Sequence, residues 1–325
     1  VGSLRWVEIR RDLTSAGQPN PGTAITIGAY DGVHLGHRQV IAEVCRLAAL
    51  EGLVSAVVTF DRHPAMVVRP ESAPLLLTDL EQKIEQLSTT GVDLTQVVVF
   101  DKDRAVEDAE TFVIEVLVEA LGARVVVVGE DFHFGHQRQG NVDLLRRMGA
   151  ELGFEVHALG LVGAGGLPAR DHEQVSSTFI RRALASGELD RANDMLGRPY
   201  EVCGIVENDH NPGRDLGFAT ATVGVDSSIL LPADGVYAGY LAKPNSVVYP
   251  AVVSLGGHPR SSDDRALLLQ THLLDIELDP ENDFHGEAVR VRFVHFLRPP
   301  QNFGDLDDLV AQFRSDIEAT QAVML

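Results

Sequence analysis

The sequence predicts a two-part chain: an α/β domain built on a parallel sheet, then a small antiparallel β-barrel domain with a C-terminal helix. Three observations carry this. Up to residue 161, short Val-rich runs alternate with stretches of helical periodicity, the pattern of strands covered on both faces by crossover helices. From residue 200, β-rich runs follow one another with only Gly, Pro, Asn and Asp turns between them. Helical periodicity returns over residues 306–322. A length of 325 residues gives room for two cores, and the texture puts the boundary near residue 199, dividing 1–199 from 200–325.

In the first part the strands are expected at 24–27, 55–60, 96–100, 124–129 and 155–161, with helices at 38–51, 80–89, 109–121 and 141–152. Thr78 before Glu81 resembles a capping box, and Gly52, Gly91 and Gly122 stand where helix C-termini should end. Such alternation means right-handed crossovers, with ligands bound beyond the carboxyl ends of the strands. Short helices follow at 177–185 and 189–196, closed by Gly197-Arg198-Pro199. In the second part strands are expected at 200–206, 219–223, 235–241, 247–255, 267–276 and 288–296.

Composition excludes several classes. Hydrophobic residues make up 45% and charged residues 23%, as in a soluble globular protein. A formal charge of −20 argues against nucleic acid, which needs clustered Lys and Arg, but leaves a nucleotide open. No apolar stretch approaches the roughly 20 residues that span a bilayer, and no signal peptide is expected. The opening Val1-Gly2-Ser3 carries no initiator Met and is expected to be a remnant ahead of the natural chain. Cys45 on a helix and Cys203 in a strand read as buried thiols, which fits a reducing cytoplasm.

The chemistry concentrates at Gly28-Ala29-Tyr30-Asp31-Gly32-Val33-His34-Leu35-Gly36-His37. Two histidines three residues apart stand where a strand hands over to a helix N-terminus, whose free N–H groups and partial positive charge suit phosphate. Gly28, Gly32 and Gly36 allow close backbone approach. Zinc is the alternative for two histidines, and would need a third ligand from His63, His133 or His136.

This stretch resembles the nucleotidyltransferase signature of bacterial bifunctional riboflavin kinase/FAD synthetases, in their FMN adenylyltransferase half. Further blocks match in order: Thr59-Phe60-Asp61-Arg62-His63-Pro64, with Arg62 where proline is commoner; Val128-Gly129-Glu130-Asp131-Phe132-His133-Phe134-Gly135; Val175-Ser176-Ser177-Thr178-Phe179-Ile180-Arg181; and Leu196-Gly197-Arg198-Pro199-Tyr200. H-x-G-H alone fits other adenylyl- and cytidylyltransferases; the ordered set is specific. The resemblance implies a Rossmann-like domain in which FMN phosphate attacks the α-phosphorus of ATP and pyrophosphate leaves. It implies that His34, His37, Ser177, Thr178 and Arg181 act on the triphosphate. Gly28, Tyr30, Asp31, Gly36, Val175 and Ser176 would line the nucleotide, and His63, Asp131, Phe132 and Arg138 the flavin. Mg²⁺ would be held mainly by phosphates and water.

The second part resembles the family's riboflavin kinase module through Gly213-Arg214-Asp215-Leu216-Gly217-Phe218, Pro232–Ala238, His272-Leu273-Leu274-Asp275 and Phe296-Leu297-Arg298. Its catalytic positions depart from the family pattern. The P-T-A-N motif reads Ala219-Thr220-Ala221-Thr222, and the upstream His-Gly reads Asn208-Asp209. The N-x-G-x-x-P-T stretch reads Ser254-Leu255-Gly256-Gly257-His258-Pro259-Arg260. The expected catalytic glutamate aligns with Gln270, and an amide cannot act as general base. Losing such a base costs about 10²–10⁴-fold. The expectation is a kinase-like module that keeps its fold and has lost or nearly lost its activity; the alternative is a fully bifunctional enzyme in which Asp209 or another carboxylate has taken over as base.

Overall fold

The computed structural model describes residues 7–13, 17–160, 175–207, 219–244, 247–256, 266–274 and 284–324. By its contacts the chain divides into two compact units, Val1–Ser176 and Ser177–Leu325.

The first unit carries six parallel strands: β1 (Glu8–Arg10), β2 (Thr23–Ile27), β3 (Val54–Phe60), β4 (Leu94–Val98), β5 (Ala123–Gly129) and β6 (Glu155–Leu159). They lie in the order β1-β4-β3-β2-β5-β6. The helices between them are α1 (Leu35–Glu51), α2 (Ala65–Val68), α3 (Leu80–Ser88), α4 (Lys102–Ala105), α5 (Ala109–Phe112, continued by a π-helix at Val113–Ala120) and α6 (Val142–Leu152). Every residue of β2 is buried. On one face Ile25, Ile27, Val58 and Val126 pack with Phe112, Leu117 and Leu145. On the other, Ala24, Val125 and Val127 pack with Val44 and Leu47 of α1. That two-sided cover is why these strands read as continuous apolar runs.

Strand order reverses at β2, which lies between β3 and β5, so the carboxyl ends of β2 and β5 form a topological switch point. The Gly28–His37 turn leaves β2 there, and the turn at 129–140 leaves β5 beside it.

Three sequence expectations differ from the fold. β1 was not expected: it has no fully buried residue and is held by its pairing with Leu94–Gln96. The cap of α3 is Asp79, in a reciprocal box with Gln82, rather than Thr78 with Glu81. The division also falls at 176/177 and not near 199, because α7 (Ser177–Ala185) and α8 (Leu189–Leu196) pack with the second unit. Asn193 of α8 donates to the carbonyls of Phe293 and Val294 and accepts from the Tyr200 N–H at 2.7 Å.

The second unit continues with β7 (Tyr200–Glu207), β8 (Thr220–Asp226), β9 (Gly235–Ala242), β10 (Val248–Leu255), β11 (Ala266–Leu273), β12 (Ala288–Arg298) and a final helix, Leu306–Met324. The strands close into a barrel in the order β10-β11-β8-β7-β12-β9. Its interior is filled by buried Tyr200, Val223, Tyr237, Val253 and Phe293, with Tyr237 and Phe293 edge-to-face at 5.3 Å. The Tyr237 hydroxyl donates to the Ala233 carbonyl, and burial, then Asp234, pushes its phenol up to about 12.

Candidate active site

His34 caps α1: its backbone is extended, and its Nδ1 accepts from the His37 N–H at 3.3 Å. In the neutral imidazole that leaves Nε2 as the proton-bearing donor. The rings of His34 and His37 stack with centroids 3.5 Å apart, and Tyr30 meets His37 edge-on at 4.9 Å. His37 Nδ1 is buried without a hydrogen-bond partner. Burial, then His34, then Lys83 hold the His37 imidazole well below its usual range, so it stands neutral near pH 7. An arriving phosphate reverses that electrostatic balance and gives the ring an anion to meet.

The turn is bent hard to present these rings. Tyr30 and Val33 have φ of 51° and 38°, conformations unusual for residues with side chains and most costly for β-branched Val33. The Tyr30 hydroxyl bonds Thr26 Oγ1 at 2.7 Å, behind the histidines. A Cβ on Gly36 would lie 3.2 Å from both His34 Nδ1 and the Val175 carbonyl, so only glycine lets the turn close on the Val175 backbone.

Asp31, expected at the nucleotide, holds the turn itself. It is 5% exposed, and its carboxylate accepts from the N–H groups of Leu77 (2.9 Å) and Thr78 (3.1 Å) and from Thr78 Oγ1. Thr78 Oγ1 in turn accepts from the Gly32 N–H at 3.1 Å. The Asp31 charge is spent on pinning the turn to the chain before α3.

Beside the turn opens a cavity of about 1010 Å³ at the carboxyl ends of the strands. It is lined by Gly28, expected at the nucleotide, and by His63, Phe132 and Arg138, expected at the flavin; Asp131 is exposed and does not line it. Phe132 and Phe134 stack at 5.4 Å and 17°, with Phe112 at 6.0 Å from Phe134. Gln137 and Arg138 also have positive φ. The sequence reading missed Phe60, Phe100, Lys102 and Arg104, which line the same cavity. It missed Lys83 as well, although a lysine at the third position from Leu80 in a stripe with Ile84 and Leu87 signals a buried cation. Of the possible zinc ligands, His63 Nδ1 accepts from the Ala65 N–H, and the Nδ1 atoms of His133 and His136 lie against the carbonyls of Asp131 and Ala105. Among the described residues no cluster of three His, Cys, Asp or Glu could hold a metal ion, and no helix is long and apolar enough to cross a membrane.

Ser177, Thr178 and Arg181 open α7 in the second unit, with Ser177 and Arg181 half-buried and Thr178 exposed. Ser176 is half-buried just before them. On the barrel, Thr222 pairs with Gln270, and Gln270 with Ser254, across three adjacent strands. Two register positions away, on the same face, Thr220 Oγ1 lies 2.9 Å from His272 Nδ1. Ala219 is half-buried just ahead of β8; Asn208 and Asp209 lie outside the described residues. Arg298, expected in the kinase-like site, makes a two-pronged ion pair with buried Asp316 of the last helix, at 2.9 and 2.7 Å.

Comparison with known proteins agrees with this geometry. The FAD synthetase family model matches residues 17–179, and the riboflavin kinase family model matches residues 196–324. The bifunctional riboflavin kinase/FMN adenylyltransferase of Haemophilus influenzae is 33% identical over 97% of this chain and 99% of its own. The chain belongs to the bifunctional riboflavin kinase/FMN adenylyltransferase family. The family's Listeria monocytogenes member is 32% identical over 98% of both chains, and its Escherichia coli member 33% identical over 92% of this chain and 91% of its own. A solved structure described as a macrolide-efflux protein from Streptococcus pneumoniae shares the fold, with a TM-score of 0.79 and 24% identity over 97% of this chain and 98% of its own.

Proposed function

We propose that this chain is an FMN adenylyltransferase that joins the AMP of ATP to FMN and releases pyrophosphate. The observation that carries the reading is the junction of two features at one switch point: a histidine-capped helix N-terminus, and an aromatic-walled cavity large enough for a flavin ring system. An in-line displacement needs no covalent enzyme intermediate. The protein's part is to align two phosphates and offset the charge that develops on them. His34 Nε2–H, His37 and the first N–H groups of α1 would bind the triphosphate; Phe132 and Phe134 would stack on the flavin, with Arg138 and His63 at its edge. The roles of Ser177, Thr178 and Arg181 rest on the motif they form. With Asp31 committed to backbone donors, the turn suits a Mg²⁺ held by phosphates and water, which supplies charge neutralisation when bound.

The barrel is proposed to have lost riboflavin kinase activity. Support comes from Gln270 standing in register with Thr222, where an amide can orient a hydroxyl but not deprotonate it. A second reading, a fully bifunctional enzyme, is favoured by the riboflavin kinase family match over 196–324 and by Thr220 beside His272.

Incubation with FMN and each nucleoside triphosphate, with product mass determined, tests the main reading. FAD from ATP is expected, and His37→Ala should abolish it; undiminished turnover by that variant would refute the assigned site. A product from CTP, or from a modified flavin phosphate only, would replace ATP or FMN in the proposal while leaving the transfer chemistry.

A further inference from the structure

Lys83 has no assigned part in the site, yet it is 6% exposed beneath it. Its Nζ donates to the Phe60 carbonyl at 2.6 Å and to the Ala29 carbonyl at 3.3 Å. Ala29 belongs to the turn after β2, Phe60 ends β3, and both line the aromatic cavity. Thr59 Oγ1 donates to the same Ala29 carbonyl at 3.2 Å. An ammonium here is costly: burial lowers Lys83 to about 8, against the opposing pull of Asp31 and Asp61. An apolar side chain would fill the space without that cost, so packing alone does not account for a lysine.

The turn that Lys83 meets is the one bent through Tyr30 and Val33. The segment around α3 grips it at three points: Ala29 through Lys83, Asp31 through Leu77 and Thr78, and Gly32 through Thr78. The last two anchor the turn to the chain before α3. Lys83 also reaches the neighbouring strand end, and so ties the turn to the cavity wall.

We infer that Lys83 is a positioning residue for adenylyl transfer: its ammonium, laid against the Ala29 and Phe60 carbonyls, sets the spacing between the histidine turn and the cavity. The inference rests on reading those two features as the nucleotide and flavin sites. In-line attack tolerates little error, and a displacement of about 1 Å can cost about 10²-fold in rate. The ionisable groups facing Lys83 are Asp31 of the turn, Asp61 after β3 and His37 of α1. Loss of the Lys83 proton weakens both carbonyl bonds, since charge-assisted bonds are roughly twice as strong as neutral ones.

The test is steady-state FMN adenylylation by the full chain, wild type against Lys83→Met and Lys83→Gln, across pH 6 to 10, with thermal melts of each. Lys83→Met is expected to lower kcat about 100-fold while each KM moves less than about threefold. Wild-type kcat/KM should decline with a midpoint near pH 8, and that limb should be missing in both variants. A folded variant with wild-type kcat, a loss confined to KM, or a wild-type profile flat to pH 10 would each overturn the inference. If Lys83→Met does not fold, Lys83→Gln and the wild-type profile decide it. His37→Ala, run alongside, separates the two readings. Full turnover there means the site itself is misassigned; an inactive His37→Ala beside a normal Lys83→Met defeats only the Lys83 inference.

Discussion

Arg298→Met should destabilise the barrel unit strongly. The Arg298 guanidinium reaches both oxygens of Asp316, whose side chain is 4% exposed and otherwise receives Gln312 Nε2 at 3.0 Å. Methionine keeps most of the stem's packing but leaves a buried carboxylate with one neutral donor. Breaking a buried ion pair from one side costs about 3–5 kcal/mol. For a unit of this size each kcal/mol moves the midpoint by about 2–4 °C, so the barrel transition should fall by roughly 6–20 °C. Removing both charges, as Arg298→Met with Asp316→Leu, should recover most of the loss, because two apolar groups leave no stranded charge. Differential scanning calorimetry of the full chain reads both variants. A single-variant shift under about 2 °C would refute the reasoning and return Arg298 to the kinase-like site as a ligand contact. So would a double variant worse than the single.

Three further outcomes follow from the same structure. Phosphorylation of riboflavin by ATP and Mg²⁺ should be undetectable at ordinary kinase rates, and Gln270→Glu should raise it at least about tenfold by restoring a base; FMN formation by the wild type at kinase rates would sink the proposed loss. Burial holds the His272 imidazole down to about 4, against the pull of Asp316. The unfolded ring titrates near 6.5, so its stabilising contribution is complete above about pH 6.5 and declines as pH falls toward 4. Acid titration of the barrel melting point, wild type against His272→Asn, checks that sign. Gly135→Ala should raise the KM for FMN severalfold: φ is +71° there, and the added Cβ would lie 2.7 Å from Ala109 Cβ, displacing the Phe134 turn. An unchanged KM would show that this turn does not shape the flavin site.

Much of the molecule was legible in its sequence because periodicity reports local burial. The central strands declare themselves by apolar runs such as Ala24–Ile27, and α7 and α8 by their amphipathic stripes. The histidine turn, the proposed phosphate site, was legible for the same reason: His34 and His37 lie three residues apart at one strand-to-helix turn, so local geometry alone brings their rings together. β1 was not legible, since a three-residue half-exposed strand exists through its partner β4. Nor was the cap of α3, where Thr78 was drawn away to Gly32 and Asp31 and Asp79 took its place.

The sequence by itself determined the strand–helix alternation, the histidine turn and the altered kinase positions, each written in residues near one another along the chain. The tertiary structure decided where the charges go. Asp31 turns to Leu77 and Thr78, Arg298 to Asp316, and Lys83 to Ala29 and Phe60. The aromatic cavity likewise draws Phe60, Phe100 and Phe132 from the ends of three strands and Phe112 from α5. A charged or aromatic side chain takes its partner from whatever the fold brings within reach, and for these charges the partners lie 18 to 54 residues away, beyond the range of any local pattern.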